Sequence, residues 1–131
     1  MQVLFVEDDA MNRQVVRDML SVVGARMAEA PDAETGLQMI ENEAFNIVLM
    51  DLRMPGMDGL TAIRHLRARG DAKRNLPVIV VTADTAADLR EQCLASGADE
   101  VIPKPVAMNL LLKTMSRMLA KAAGQAGVVF A

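Results

Sequence analysis

The sequence predicts an α/β fold in which helices cover both faces of a five-stranded parallel sheet. Five short apolar runs recur along the 131 residues, and segments with helical spacing separate them. Three of the runs are continuously apolar and do not alternate, which is typical of parallel strands buried on both faces. Because the runs and helical segments alternate regularly with short connections, we expect a doubly wound sheet with right-handed crossovers.

The five predicted strands are the apolar runs themselves. They comprise residues 3–6, 26–30, 47–50, 78–81 and 101–102. The first, third and fourth are the continuously apolar ones, and they therefore predict the buried part of the sheet.

The first two helical segments each follow an aspartate that is suited to cap a helix. Asp9 precedes a segment whose predicted inner face contains Val15, Val16, Met19, Leu20 and Val23. Asp32 precedes a second segment whose apolar positions are Ala33, Leu37, Ile40 and Ala44. The spacing of both sets predicts amphipathic helices.

The remaining helices are predicted in the same way. The third begins after Asp58, which we expect to be a cap and not a metal ligand, and it carries Leu60, Ile63 and Leu66. The fourth carries Ala86, Leu89 and Cys93, and Gly97 is expected to end it in the left-handed conformation. The last helix extends from about residue 106 to residue 122.

Length and composition predict one domain, residues 1–122, followed by a C-terminal tail, residues 123–131. The apolar residues 128–130 in that tail could be either a loose end or a docking strip. The single cysteine excludes an internal disulfide and favours a reducing compartment. There is no signal-peptide pattern and no apolar stretch of bilayer length, so we expect a cytoplasmic protein without membrane contact. The net charge of −3 gives no reason to expect nucleic-acid binding.

Polar residues stand where the predicted strands end. Glu7 and Asp8 follow the first strand, Asp51 the third, Thr82 the fourth and Lys104 the fifth. Because function in such sheets gathers at the carboxyl ends of the strands, we expect three carboxylates, one hydroxyl and one ammonium to meet there.

Three neighbouring carboxylates predict a bound divalent cation. Two like charges 4 Å apart repel by about 4 kcal/mol at an effective dielectric constant of about 20, and one lysine cannot offset this for all three. An all-oxygen set without a His or Cys cluster favours Mg²⁺ over zinc. Asp51 would then be the nucleophile in phosphoryl transfer, with the cation and Lys104 neutralising the transferring group and Thr82 donating a hydrogen bond to it.

Four motifs in order resemble the receiver domain of two-component response regulators. They are Val6-Glu7-Asp8-Asp9, the Met-Asp-Leu-Arg-Met-Pro-Gly-Met-Asp-Gly stretch at 50–59, Val81-Thr82-Ala83, and Lys104-Pro105 after Gly97-Ala98-Asp99. The resemblance covers residues 2 to about 121. It implies a flavodoxin-like (βα)5 fold with strand order 2-1-3-4-5, and a cis bond between Lys104 and Pro105.

The resemblance also implies roles for the matching residues. Asp51 is expected to be the phosphoacceptor and Asp8 a direct Mg²⁺ ligand, with Asp51 and the backbone carbonyl of Arg53 as further ligands. Glu7 is expected to act mainly through metal-bound water. Thr82 and Lys104 match the residues that contact the phosphoryl group, and no organic cofactor is expected.

The implied function is a signalling switch in a phosphorelay and not a conventional enzyme. A phosphohistidine on a histidine kinase or phosphotransfer protein would be the donor, and the switch would phosphorylate and dephosphorylate itself. The face formed by the fourth helix, fifth strand and fifth helix would change partner binding. Asn12-Arg13 and the stretch from Leu52 to Gly59 are similar to the receiver modules of hybrid histidine kinases. A single-domain regulator and a shuttle to a phosphotransfer protein are the other interpretations.

Three features add to the pattern or depart from it. Val101 replaces the Tyr or Phe that receivers often carry three residues before the lysine, so no large ring is available to rotate. Arg53 and Asp84 are expected either to pair across the pocket mouth and hinder attacking water or to form an exposed ion pair without a kinetic role. Leu110, Leu111 and Leu112 widen the apolar surface of the last helix, which indicates either a partner or homodimer surface or ordinary packing at the sheet edge.

Two rival functions remain to be separated from the receiver. A haloacid-dehalogenase-type phosphatase also forms an aspartyl phosphate with magnesium, but it needs a second aspartate where Arg53 stands. A degenerate receiver that acts by protein contact alone usually lacks an acidic or lysine position, and none is missing here.

Overall fold

The computed structural model describes residues 1–125, and it contains the parallel five-stranded sheet that the apolar runs predict. The strands are β1 Gln2–Val6, β2 Arg26–Ala30, β3 Ile47–Asp51, β4 Val78–Thr82 and β5 Glu100–Pro103. Their order in the sheet is β2-β1-β3-β4-β5, and every neighbouring pair is parallel. Both the α/β class and the strand order are therefore confirmed.

Within the described residues, four α-helices and one short 3-10 helix connect the strands, and a fifth α-helix follows the last strand. The α-helices are α1 Ala10–Val22, α2 Ala33–Asn42, α3 Gly59–Arg67, α4 Leu89–Ser96 and α5 Met108–Gln125, and the 3-10 helix is Ala72–Asn75. The last helix continues past residue 122, where we expected the tail to begin. The strip at residues 128–130 lies outside the described part of the chain. Within residues 1–125 no helix combines the length and the hydropathy that a bilayer-spanning segment needs.

Strand side chains alternate between two apolar cores, one on each face of the sheet. One core includes Ile40 of α2, Ile63 of α3 and Cys93 of α4. The other includes Leu20 of α1 and Leu111 of α5. The helices therefore divide three to two between the faces, and both faces of the central strands are buried.

Aspartates begin the first three helices as the sequence predicts. Asp9 accepts hydrogen bonds from the backbone N–H groups of Met11 and Asn12, at 2.8 and 3.3 Å. Asp32 and Asp58 accept one each, at 2.7 and 2.8 Å, from the residue three positions later. These bonds satisfy donors that the helix itself leaves free. Gly97 ends α4 with φ of 111°, in the left-handed region.

The helix faces differ from the prediction at several positions. Val15 is 45% exposed because it precedes the buried Val16 by one residue and lies about 100° away around α1. Val23 is 55% exposed and follows the end of that helix. Ala44 is exposed because α2 stops at Asn42 and the chain becomes extended at Glu43.

Gly59 lets the start of α3 lie against the end of β3. A Cβ atom added there would be 2.3 Å from the backbone oxygen of Asp51 and 3.0 Å from Cα of Leu52. The Gly59 N–H also donates to the carbonyl oxygen of Leu52, at 3.1 Å. The close approach therefore leaves no space for a side chain next to Asp51.

We predict that Gly59→Ala lowers the free energy of unfolding by about 1–3 kcal/mol, because the backbone of β3 must shift to admit the methyl group. Gly70→Ala is the matched control, since no atom lies within 4 Å of the Cβ position there. Urea unfolding monitored by circular dichroism compares the two variants. Equal stabilities for both variants would contradict the steric explanation.

Candidate functional site

The carboxyl ends of the strands bring the predicted polar residues to one edge of the sheet. Glu7 and Asp8 follow β1, and Asp51 ends β3, which pairs with β1. One carboxylate oxygen from each of these three residues lies within 4.8 Å of the other two. We call Glu7, Asp8 and Asp51 the carboxylate cluster.

Lys104 joins two members of the carboxylate cluster. Its Nζ lies 2.7 Å from Oε1 of Glu7 and 3.2 Å from Oδ1 of Asp51. The lysine follows β5 at a peptide bond to Pro105 that is cis, as the resemblance implies. One ammonium group therefore contacts two carboxylates, and the three carboxylates together carry more negative charge than it can neutralise.

Thr82 is the last residue of β4. This strand lies between β3, which ends at Asp51, and β5, which precedes Lys104. It is buried, and its Oγ1 accepts a hydrogen bond from the backbone N–H of Asp84 at 3.1 Å. Oγ1 is the acceptor in this bond, so the bond does not use the hydroxyl proton. That proton can therefore be donated to an incoming oxygen atom. The Thr82 hydroxyl is therefore suited to donate a hydrogen bond to a negatively charged group.

The carboxylate cluster is largely removed from water. Glu7 is fully buried and Asp51 is 4% exposed, whereas Asp8 is exposed. Burial of an ionised carboxylate is costly unless other groups compensate its charge. Two of the three acids therefore need a compensating partner.

Glu7 shows that this compensation is incomplete. Its Oε1 accepts hydrogen bonds from Nδ2 of Asn12 at 2.8 Å and from Nζ of Lys104 at 2.7 Å. Its Oε2 is buried and has no hydrogen-bond partner among the described residues. Burial, followed by the nearby Asp51 carboxylate, raises the pKa of Glu7 above its ordinary value, although Lys104 and Asn12 act in the opposite direction.

Lys104 keeps its positive charge in this setting. Burial works against the charge and is the largest single influence, but the bond to Glu7 and the charge of Asp51 together outweigh it. The pKa of Lys104 is consequently raised. The ammonium group is therefore a permanent part of the site's electrostatics near neutral pH.

The carboxylate cluster fits a hard divalent cation. It offers oxygen ligands from three acids, and one buried carboxylate oxygen has no partner within the described part of the chain. Mg²⁺ prefers such oxygen ligands and commonly retains several water molecules. The donor set thus agrees with the cation that the sequence predicts, and the individual ligand roles stay predictions.

Arg53 and Asp84 form the ion pair that we expected at the pocket mouth. Nη2 of Arg53 donates to Oδ2 of Asp84, and the arginine side chain is 79% exposed. The pKa of Asp84 is lowered, first by the backbone N–H of Ala86 and then by Arg53. The pairing is confirmed, whereas its effect on water and the ligand role of the Arg53 carbonyl stay predictions.

Two residues that contact Glu7 received no role in the sequence analysis. Asn12 donates to the Glu7 side chain, and Nη1 of Arg13 donates to the Glu7 backbone oxygen at 2.7 Å. Both lie in the first turn of α1, directly after the Asp9 cap. The sequence does place an amide and a guanidinium in the first turn of a helix that follows an acidic strand end. That pattern could have indicated contacts with Glu7.

Val101 and the three consecutive leucines of α5 differ in how far they are buried. Val101 is half-buried and packs against the core beneath α3 and α4. On α5, Leu111 is fully buried, Leu112 is half-buried and Leu110 is 42% exposed. The three leucines therefore face in different directions, and one of them is available on the surface.

A family model described as the response regulator receiver domain matches residues 3–116. The sensor histidine kinase RcsC of Salmonella typhimurium is 35% identical over 116 residues, which make up 88% of this chain and 12% of that protein. The response regulator MprA of Mycobacterium sp. (strain KMS) is 36% identical over 126 residues, covering 96% of this chain and 54% of that protein. The chain therefore spans about half, or less than half, of the length of these relatives.

Solved receiver domains have the same fold. The receiver domain of sensor histidine kinase PA1611 from Pseudomonas aeruginosa PAO1, crystallised with a magnesium ion coordinated in the active site cleft, is 31% identical with a TM-score of 0.82. The match covers 91% of this chain and 97% of that one. A CheY-like receiver domain protein from Methanospirillum hungatei JF-1 is 28% identical with a TM-score of 0.86, covering 95% and 97% of the two chains.

We predict that Glu7 makes the stability of the metal-free protein depend on pH. Because its pKa in the folded protein lies above the ordinary value of 4.5, the folded protein retains a proton that the unfolded chain has released. The free energy of unfolding therefore falls as the pH rises from about 4.5 through the folded-state pKa. Glu7→Gln should lack this fall.

Urea unfolding in EDTA, between about pH 5 and 8, measures the difference between wild type and Glu7→Gln. Glu41→Gln, which changes an exposed acid on α2, is the control and should follow the wild type. Parallel pH profiles for wild type and Glu7→Gln would show that Glu7 is ionised normally in the folded protein.

Proposed function

Because this chain belongs to the response regulator receiver domain family of two-component signalling, we propose that Asp51 accepts a phosphoryl group in a Mg²⁺-dependent reaction. The observation that carries the proposal is the carboxylate cluster with Lys104 in contact with Glu7 and Asp51. The chemistry requires a nucleophile beside concentrated positive charge, and these side chains provide both once the cluster holds a cation.

In the proposed step, a carboxylate oxygen of Asp51 attacks the phosphorus of a phosphohistidine. The new bond joins that oxygen to phosphorus, and the bond between phosphorus and the imidazole nitrogen breaks. The electron pair of the broken bond stays on the nitrogen of the donor. Asp51 lies at the rigid end of a buried strand, so its carboxylate is held in place for an in-line approach.

Mg²⁺ would be held by Asp8, Asp51 and the backbone carbonyl of Arg53, with Glu7 acting through metal-bound water. Support comes from the donor set of the cluster and from the PA1611 receiver domain, whose active site cleft coordinates a magnesium ion. Bound there, the ion would supply positive charge to the equatorial oxygens of the phosphoryl group. Asp8 is the exposed member of the cluster, and the cation would enter on its side.

Lys104 and Thr82 would stabilise the phosphorylated state. The lysine can exchange its contact with Asp51 for a contact with a phosphoryl oxygen, while it keeps its bond to Glu7. Thr82 can donate its hydroxyl proton to another phosphoryl oxygen. Since Val101 is too small to reproduce the rotation of an aromatic ring, movement of Thr82 would carry the signal.

The proposed output surface is the face formed by α4, β5 and α5. Glu100 of β5 forms ion pairs with Arg90 of α4 and with Arg117 of α5, so its carboxylate links the three elements. A shift at the end of β4 would reach this face through the neighbouring β5. The same face, with the exposed Leu110, would bind a partner or a second copy of the chain.

The proposed donor is a histidine kinase or a histidine phosphotransfer protein in the cytoplasm. Relatives named as a sensor histidine kinase and as a response regulator support both contexts, a module of a hybrid kinase and an independent regulator. Hydrolysis of the acyl phosphate by the domain itself would end the signal. The domain would thus act as a switch and not as a conventional enzyme.

We predict that the protein gains one phosphoryl group when it is incubated with acetyl phosphate and Mg²⁺. Intact-mass spectrometry measures the addition, and EDTA should prevent it because the cluster then lacks its cation. Asp51→Asn should gain no mass, since the amide is not a competent nucleophile. Equal addition to wild type and Asp51→Asn would place the acceptor at another residue.

We further predict that Arg53→Ala shortens the lifetime of the phosphorylated protein. In the proposed arrangement the ion pair with Asp84 would lie across the pocket mouth. Its loss would then give water easier access to the acyl phosphate. Loss of phosphate is followed by intact mass after removal of the donor. Arg69→Ala, which breaks an exposed ion pair with Asp71, is the control. An unchanged lifetime in Arg53→Ala would make the pair a surface contact without kinetic effect.

A further inference from the structure

The carboxylate of Glu7 is held through only one of its two oxygens. Oε1 accepts hydrogen bonds from Nδ2 of Asn12 and from Nζ of Lys104, at 2.8 and 2.7 Å. Oε2 is buried and has no partner in the described part of the chain. Two donors therefore share the same oxygen although a second oxygen is available on the same group.

This unequal use of the two oxygens has a structural cause in Asn12. A carboxylate can rotate about its terminal bond, so the carboxylate plane of Glu7 could turn if Lys104 were its only donor. Asn12 approaches from α1, whereas Lys104 approaches from the end of β5. The two donors meet at Oε1 from different elements, and together they fix the plane of the carboxylate.

Asn12 is itself well anchored. Its backbone N–H donates to the carboxylate of Asp9, the cap of α1, at 3.3 Å. The next residue, Arg13, donates from Nη1 to the Glu7 backbone oxygen at 2.7 Å and from Nε to Glu29 at 3.3 Å. Consecutive residues of α1 thus hold the side chain and the backbone of Glu7.

We propose that Asn12 is a positioning residue for the cation site. By holding Oε1 with Lys104, it keeps the lone pairs of Oε2 free for the cation or for a water molecule bound to it. This inference rests on the proposed function, because it assumes that the carboxylate cluster binds Mg²⁺. Asn12 makes no contact with the cation in this account, and it acts through Glu7 alone.

Isothermal titration calorimetry with MgCl₂ tests the proposal on the full chain. We expect Asn12→Ala to weaken Mg²⁺ binding about tenfold, which is typical when a residue that orients a metal ligand is removed. Gln14→Ala is the matched control, because Gln14 donates from an amide to Asp18 at 2.9 Å on the exposed side of the same helix. The control should bind Mg²⁺ with the wild-type affinity.

Thermal unfolding in EDTA separates positioning from a purely structural role. A structural role would lower the unfolding temperature of Asn12→Ala without changing its Mg²⁺ affinity, and that result would overturn the proposal. Asn12→Leu keeps the side-chain bulk without the amide, and it should show the same loss of affinity as Asn12→Ala.

The experiment distinguishes this inference from the proposed function. If the wild type binds no Mg²⁺, the proposed function fails, and the inference fails with it. If the wild type binds Mg²⁺ and both Asn12 variants bind it equally well, the positioning role alone is overturned.

Discussion

The repulsion within the carboxylate cluster is the constraint on which the rest of the site depends. Glu7 and Asp51 are buried side by side, Asp8 lies next to them, and Lys104 provides a single positive charge. Such an arrangement lowers the stability of the metal-free protein, because desolvated like charges repel strongly. A divalent cation bound at the cluster would offset this repulsion.

The fold supplies the rigidity that this strained arrangement needs. The central strands are buried on both faces, and parallel pairing places their carboxyl ends at a common edge. Gly59 allows α3 to start directly beside Asp51, and α1 begins directly beside Glu7. The backbone of Glu7 and of Asp51 is consequently held by packed elements, which keeps the two buried acids close together.

The sheet and the carboxylate cluster could be predicted from the sequence because they follow from local patterns. Continuous apolar runs mark buried strands, and polar residues after the first, third, fourth and fifth runs mark the carboxyl edge. The exposed Val15 and the early end of α2 before Ala44 could not be predicted, since helix phase and helix ends depend on packing. The contact between Asn12 and Glu7 depends on how α1 leaves β1, and spacing alone does not specify that geometry.

A crystal structure determined with Mg²⁺ and beryllofluoride, which mimics a phosphoryl group, tests the central claim most directly. The account predicts beryllium bonded to a carboxylate oxygen of Asp51, Mg²⁺ between Asp8 and Asp51, and fluorine atoms in contact with Thr82 and Lys104. A carboxylate cluster without the ion, or a mimic bound at another residue, would contradict it.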